Sequence, residues 1–117
     1  MNQRLVEIRA YQLKPGTAAA FHQAVSQQAM PMVIAFGMQV VAYGPSAHDP
    51  DNAYFLVRAF DDLAHLKAQQ DAFYGSEAWK QGPREALVSR IASYQNTVLW
   101  LSPESIEDLR RLNAAPA

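Results

Sequence analysis

The order in which two kinds of periodicity alternate along this chain constrains its fold more than any other feature. Residues 4–13 repeat every second position, with Val6, Ile8 and Ala10 on one side and Glu7, Arg9 and Tyr11 on the other, the pattern of a strand with two unlike faces. Lys14-Pro15-Gly16-Thr17 breaks that strand, and Pro or Thr there opens the following helix. From Ala18 to Phe36 the spacing becomes helical, placing Phe21, Val25, Met32 and Phe36 on one stripe. Pro31 lacks the backbone N–H and is expected to kink or split that helix. Gly37 ends the segment as a C-terminal cap.

A β-rich run, Met38 to Tyr43, follows and is bounded by Gly44-Pro45. Ser46 to Asn52 is turn chemistry, and Ala53 to Phe60 forms the second arm of a hairpin. Asp61 or Asp62 caps a second helix that turns Leu63, Leu66, Gln70 and Phe73 inward. Gly75-Ser76 punctuates it, and Gly82-Pro83 starts a third helical piece through Arg90. Tyr94 to Leu101 is the last strand. The order β-α-β-β-α-β predicts an α+β, ferredoxin-like split βαβ fold, a four-stranded antiparallel sheet with helices on one face. Ser102-Pro103-Glu104 then opens a tail helix with Ile106, Leu109 and Leu112 as its apolar stripe, and Asn113 to Ala117 should fray.

Neither face of these strands is uniformly polar. Tyr54, Leu56, Arg58 and Phe60 oppose Phe55, Val57 and Ala59, while Tyr94, Val98 and Trp100 oppose Leu99 and Leu101. An exposed apolar sheet face is a liability, so a second copy is expected to cover it in a two-fold homodimer. The alternative is that the tail helix folds back over that face alone. A hydrophobic content of 50% with only 18% charged residues is high for one covered face and ordinary for two.

The same composition excludes several chemistries. Ten basic against eleven acidic residues offer no field for nucleic acid. The absence of cysteine removes disulfides, thiolate catalysis and cysteine metal sites. No apolar run approaches the ~20 residues of a membrane span, and the start Met1-Asn2-Gln3-Arg4 lacks a signal peptide's apolar stretch, so a cytoplasmic address is expected. His22, His48 and His65 form no helical metal pair; His48 beside Asp49 and Asp51 reads as a solvated turn, and neither a metal nor a cofactor is expected. No nucleophile elbow or phosphate loop occurs. What remains is aromatic and arginine content: Arg9, Tyr11, Tyr43 and Arg58 on strands, and Phe73, Tyr74, Trp79 and Arg84 in the broken helical region. Aromatics with a few convergent polar groups are the usual lining of a small-molecule site. Read plainly, Phe73 and Trp79 are instead core, Arg84 caps carbonyls, and Arg9 pairs with Glu7 or a cross-strand acid.

Two stretches carry a resemblance. Glu7-Ile8-Arg9-Ala10-Tyr11-Gln12-Leu13-Lys14-Pro15-Gly16 resembles the opening strand and turn of the NIPSNAP family, and Phe73-Tyr74-Gly75-Ser76-Glu77-Ala78-Trp79-Lys80-Gln81-Gly82-Pro83-Arg84 is similar to its Phe-Tyr-x-Ser-x-x-Trp-x-x-Gly-Pro-Arg stretch. The strands Tyr54 to Phe60 and Ile91 to Leu99 fit the same pattern. The resemblance covers residues 5–101; residues 1–101 are thus expected to form a NIPSNAP-like domain and residues 102–117 a tail. It implies the dimeric α+β barrel superfamily, whose related families include cofactor-independent monooxygenases, haem-degrading enzymes and small isomerases. It supplies no catalytic residues. The expected function is small-molecule binding in a cavity between sheet and helices, with Tyr11, Arg58, Tyr74, Trp79 and Arg84 binding the ligand. His22 is the candidate proton carrier if the protein is a cofactor-independent monooxygenase or isomerase. The alternative is a non-catalytic dimeric interaction module that docks a partner on the Ile106-Leu109-Leu112 stripe or an outer helix face.

Overall fold

A computed structural model describes residues 2–113. Strand β1 (Arg4–Leu13) runs through the sheet, antiparallel to β3 (Ala53–Phe60) on one side and β4 (Ile91–Leu101) on the other. Strand β2 (Gln39–Pro45) pairs with β3 and completes the order β2-β3-β1-β4, the ferredoxin-like arrangement expected from the element order. Directly opposed residues share a face, so the register fixes which side chains meet. Glu7 lies between Arg58 and Val98, Arg9 between Leu56 and Asn96, and Tyr11 between Tyr54 and Tyr94.

The first helical stretch comes in three parts: α1 (Ala18–Ala24), a π-helical turn Val25–Ala29, and α2 (Met30–Ala35). Met30 N–H reaches back five residues to the Val25 carbonyl, and Pro31 sits in the first turn of α2, where its missing N–H costs little. The wide turn advances the buried stripe by one residue. Phe21, Ala24 and Val25 continue as Ala29, Met30 and Val33, while Phe36, expected inside, is 42% exposed. Gly37 has φ +98°, a conformation that favours glycine. Its N–H donates to Ile34 O at 3.0 Å and Met38 N–H to Val33 O at 3.2 Å, the two bonds of a Schellman end.

Helix α3 (Leu63–Tyr74) is capped by Asp62, whose carboxylate accepts from His65 N–H at 2.8 Å. Helix α4 (Glu77–Gln81) is capped by Ser76, which accepts from Trp79 N–H at 3.2 Å; α5 (Arg84–Val88) follows. Leu66 and Phe73 turn inward, but Leu63 is half exposed and lies outside the Leu5–Phe60–Leu66 cluster. Strand β4 begins at Ile91, ahead of the expected Tyr94, because Leu13 pairs with Ile91 across a bulge and Lys14 N–H donates to Arg90 O at 2.9 Å.

Helix α6 (Pro103–Leu112) is capped by Ser102 and covers part of the opposite sheet face. Ile106 is buried among Val6, Val41, Ala42, Val57 and Ala59, with Leu109 partly buried beside it. A second copy is therefore not what covers that region. The uncovered apolar strip lies instead on β4, where Tyr94, Val98 and Trp100 are 41–55% exposed on the side that carries Glu7 and Arg9. Asn113, expected to fray, bonds back to Leu109 O through its N–H and its side chain; Ala114 to Ala117 lie outside the described residues. No described helix is long and apolar enough to cross a membrane.

Candidate binding cavity

Between the sheet and the helices lies a cavity of about 520 Å³. Its floor is Arg9 and Tyr11 from β1 with Tyr54 and Leu56 from β3. The π-helical turn walls one side with Val25 and Ala29 and α2 continues it with Met30 and Val33, while Phe73, Trp79 and Leu87 wall the other. Two local features leave this space unfilled. The wide turn places the small Ala29 against the cavity, and the helical region after Tyr74 is broken into short pieces at Gly75 and Gly82. Gly75 itself lines the space. The aromatic wall is internally packed, with Trp79 at 5.4 Å from Phe73 and 5.1 Å from Tyr74, centroid to centroid, in the tilted and edge arrangements that rings prefer.

One end of the cavity is polar. Glu7, Arg9 and Arg58 are the buried charged residues among those described. Arg58 donates to Glu7 Oε1 from Nη2 at 2.7 Å and from Nε at 3.0 Å. Glu7 Oε2 accepts from Gln70 Nε2 at 2.8 Å and Arg9 Nη2 at 3.2 Å. Burial by itself raises the Glu7 carboxyl, but the Arg58 and Arg9 guanidiniums and the bonds from Gln70 and Arg58 outweigh it and hold the group below its ordinary value. The carboxylate is thus ionised and saturated by four donors. Tyr74 OH accepts from Arg58 Nη1 at 3.0 Å and Arg9 Nη1 at 3.5 Å. Burial pushes the Tyr11 hydroxyl up to about 12, with Arg9 opposing the shift only in part. The Arg9 guanidinium also lies 4.9 Å from the centroid of the exposed Tyr94 ring, a cation–π distance. Asp71, Val88 and Tyr94 line the cavity from exposed positions and mark its mouth.

The structure brings Tyr11, Tyr74 and Trp79 together in the cavity wall and leaves the other expected residues outside it. Arg58 has no exposed surface and stands behind the wall, because the β1–β3 register sets it opposite Glu7. His22 does not line the cavity: its Nδ1 shares a hydrogen bond of 2.6 Å with the Tyr54 hydroxyl, and burial holds the Tyr54 pKa well above the ordinary tyrosine range. Arg84 is exposed on α5 and does not line the cavity. Arg9 pairs with Glu7, as its place two residues away on one strand face suggests, yet it also lines the cavity. Gln70, which the helical spacing turns inward, and Asn96 join the polar end through contacts 61 and 87 residues from Arg9 in sequence, pairings that no local pattern announces. Among the described residues, no three metal-ligating side chains cluster tightly enough to hold an ion.

The NIPSNAP family model matches residues 6–105 of this chain, a span that reaches into the first turn of α6. A NIPSNAP family protein of unknown function from Agrobacterium tumefaciens is 21% identical, superposes with a TM-score of 0.79, and is matched over 94% of its length by 87% of this chain. An uncharacterized NIPSNAP-like domain protein from Burkholderia xenovorans gives 18% identity and a TM-score of 0.78, with 88% of this chain covering 89% of that one. A Bordetella bronchiseptica protein described as a candidate antibiotic biosynthesis monooxygenase gives 22% identity and a TM-score of 0.63, with 87% and 97% covered. These identities speak for a shared fold. No curated protein matches the chain.

Proposed function

This chain belongs to the NIPSNAP family, and on that premise we propose that it binds a small organic molecule in the cavity between sheet and helices. The observation that carries the proposal is the cavity itself. Its volume of about 520 Å³ falls within the ~300–1,000 Å³ of ligand pockets, and it has their division into an apolar body and a few converging polar groups. Binding is better supported than turnover. Glu7, the buried carboxylate, is saturated by its donors, and His22 stands behind the lining residue Tyr54 without lining the cavity itself. An oxygenase or isomerase activity draws on likeness of fold to proteins such as the Bordetella neighbour, which is analogy.

An interaction module built on the tail helix has less support, since Ile106 is already buried against its own sheet. The proposed homodimer packs through the β4 strip of Tyr94, Val98 and Trp100 rather than through the face under α6. Titration with 1-naphthol, followed by tryptophan fluorescence, tests the binding proposal. Saturable binding is expected in the parent chain and its loss in Ala29→Phe, whose ring fills the chamber. Equal binding by a folded Ala29→Phe chain contradicts the proposal.

A further inference from the structure

An apolar cavity does not by itself explain Arg9. Glu7, Arg58 and Arg9 lie buried side by side, so one positive charge among them is uncompensated. Arg58 takes the larger share of Glu7, with two nitrogens at 2.7 and 3.0 Å. Arg9 reaches the carboxylate through one nitrogen at 3.2 Å. Its other partners are neutral: Asn96 Oδ1 at 2.9 Å, with Gln70 Oε1 and Tyr74 OH both at 3.5 Å. Of the two arginines, Arg9 lines the cavity and Arg58 does not. Beside it, Tyr74 OH accepts from both guanidiniums, which leaves its own proton free to donate toward the space it lines. The carboxylate in the cavity lining, Asp71, is exposed at the mouth, where water screens it.

A buried cation with an incomplete partner is costly, and a ligand bearing one negative charge relieves that cost. We infer that the ligand is an apolar monocarboxylic acid whose carboxylate accepts from Arg9 and Tyr74 while its body lies against Val33, Phe73 and Trp79. The inference rests on the proposed binding function and narrows it to a ligand class. A neutral carbonyl would leave the surplus charge in place, and a dianion would overshoot it.

Calorimetric titration of the whole chain with two matched pairs, 1-naphthoate against 1-naphthamide and octanoate against octanamide, tests this directly. Each acid should bind about tenfold or more tightly than its amide, the scale of a hydrogen bond to a charged group. Arg9→Gln should erase the preference, and Arg9→Lys, which keeps a point charge, should retain part of it. The acid-to-amide ratio in the parent chain is decisive even if a variant fails to fold. Equal binding of acid and amide overturns the inference and leaves the cavity as a binding site. Failure of all four probes overturns both.

Discussion

Glu7 holds two guanidiniums with one carboxylate, and the arrangement stands or falls with that charge. Removing one partner of a buried ion pair strands the other, typically at a cost of about 3–5 kcal/mol. Glu7→Gln should therefore lower unfolding stability by about that amount, since Arg58 has no access to water. The pH dependence follows from the direction of the shift. A carboxyl held below its ordinary 4.5 contributes stability that is fully present above that value and lost as pH falls toward the folded value. Glu7→Gln should flatten this acid limb of the stability curve in urea titrations at stepped pH. Tyr11 acts at the other end. Its hydroxyl, moved from 10 to about 12, contributes stability intact below pH 10 and lost between 10 and 12, a loss that Tyr11→Phe should remove. Period two placed Glu7, Arg9 and Tyr11 on one face from sequence alone. The role of Arg58 was not legible, because it depends on which β1 residue the register sets opposite it.

At the level of elements, punctuation residues were read more reliably than helical phase. Gly37 closes α2, and Asp62 and Ser76 open α3 and α4, as their chemistry predicts. The buried stripe beyond Val25 was displaced because a π-helical turn adds a residue that no hydrophobic period shows in advance. Gly82 carries a sharper constraint: a Cβ there would lie 2.4 Å from the Ala78 carbonyl oxygen, and backbone cannot step aside as a flexible side chain can. Gly82→Ala should cost about 1–3 kcal/mol, the range of overpacking, seen as a lower urea midpoint with an unchanged slope.

For the whole molecule, the element order specified the sheet, while the apolar excess pointed to cover on both faces. A second copy was the expected cover and the tail helix the alternative, and α6 supplies part of that cover. What stays bare is the strip of Tyr94, Val98 and Trp100 on the edge strand β4, which borders the cavity mouth at Tyr94. If that strip joins two copies, Val98→Lys should shift sedimentation from dimer to monomer with the fold intact by circular dichroism; a parent chain already monomeric contradicts the dimer. The cavity is the feature on which the functional reading depends, and a crystal structure of the protein grown with 1-naphthoate tests it most directly. The expected result is the naphthalene ring between Val33 and Phe73 with its carboxylate on Arg9. A cavity filled by its own side chains, or a ligand seated elsewhere on the surface, would contradict it.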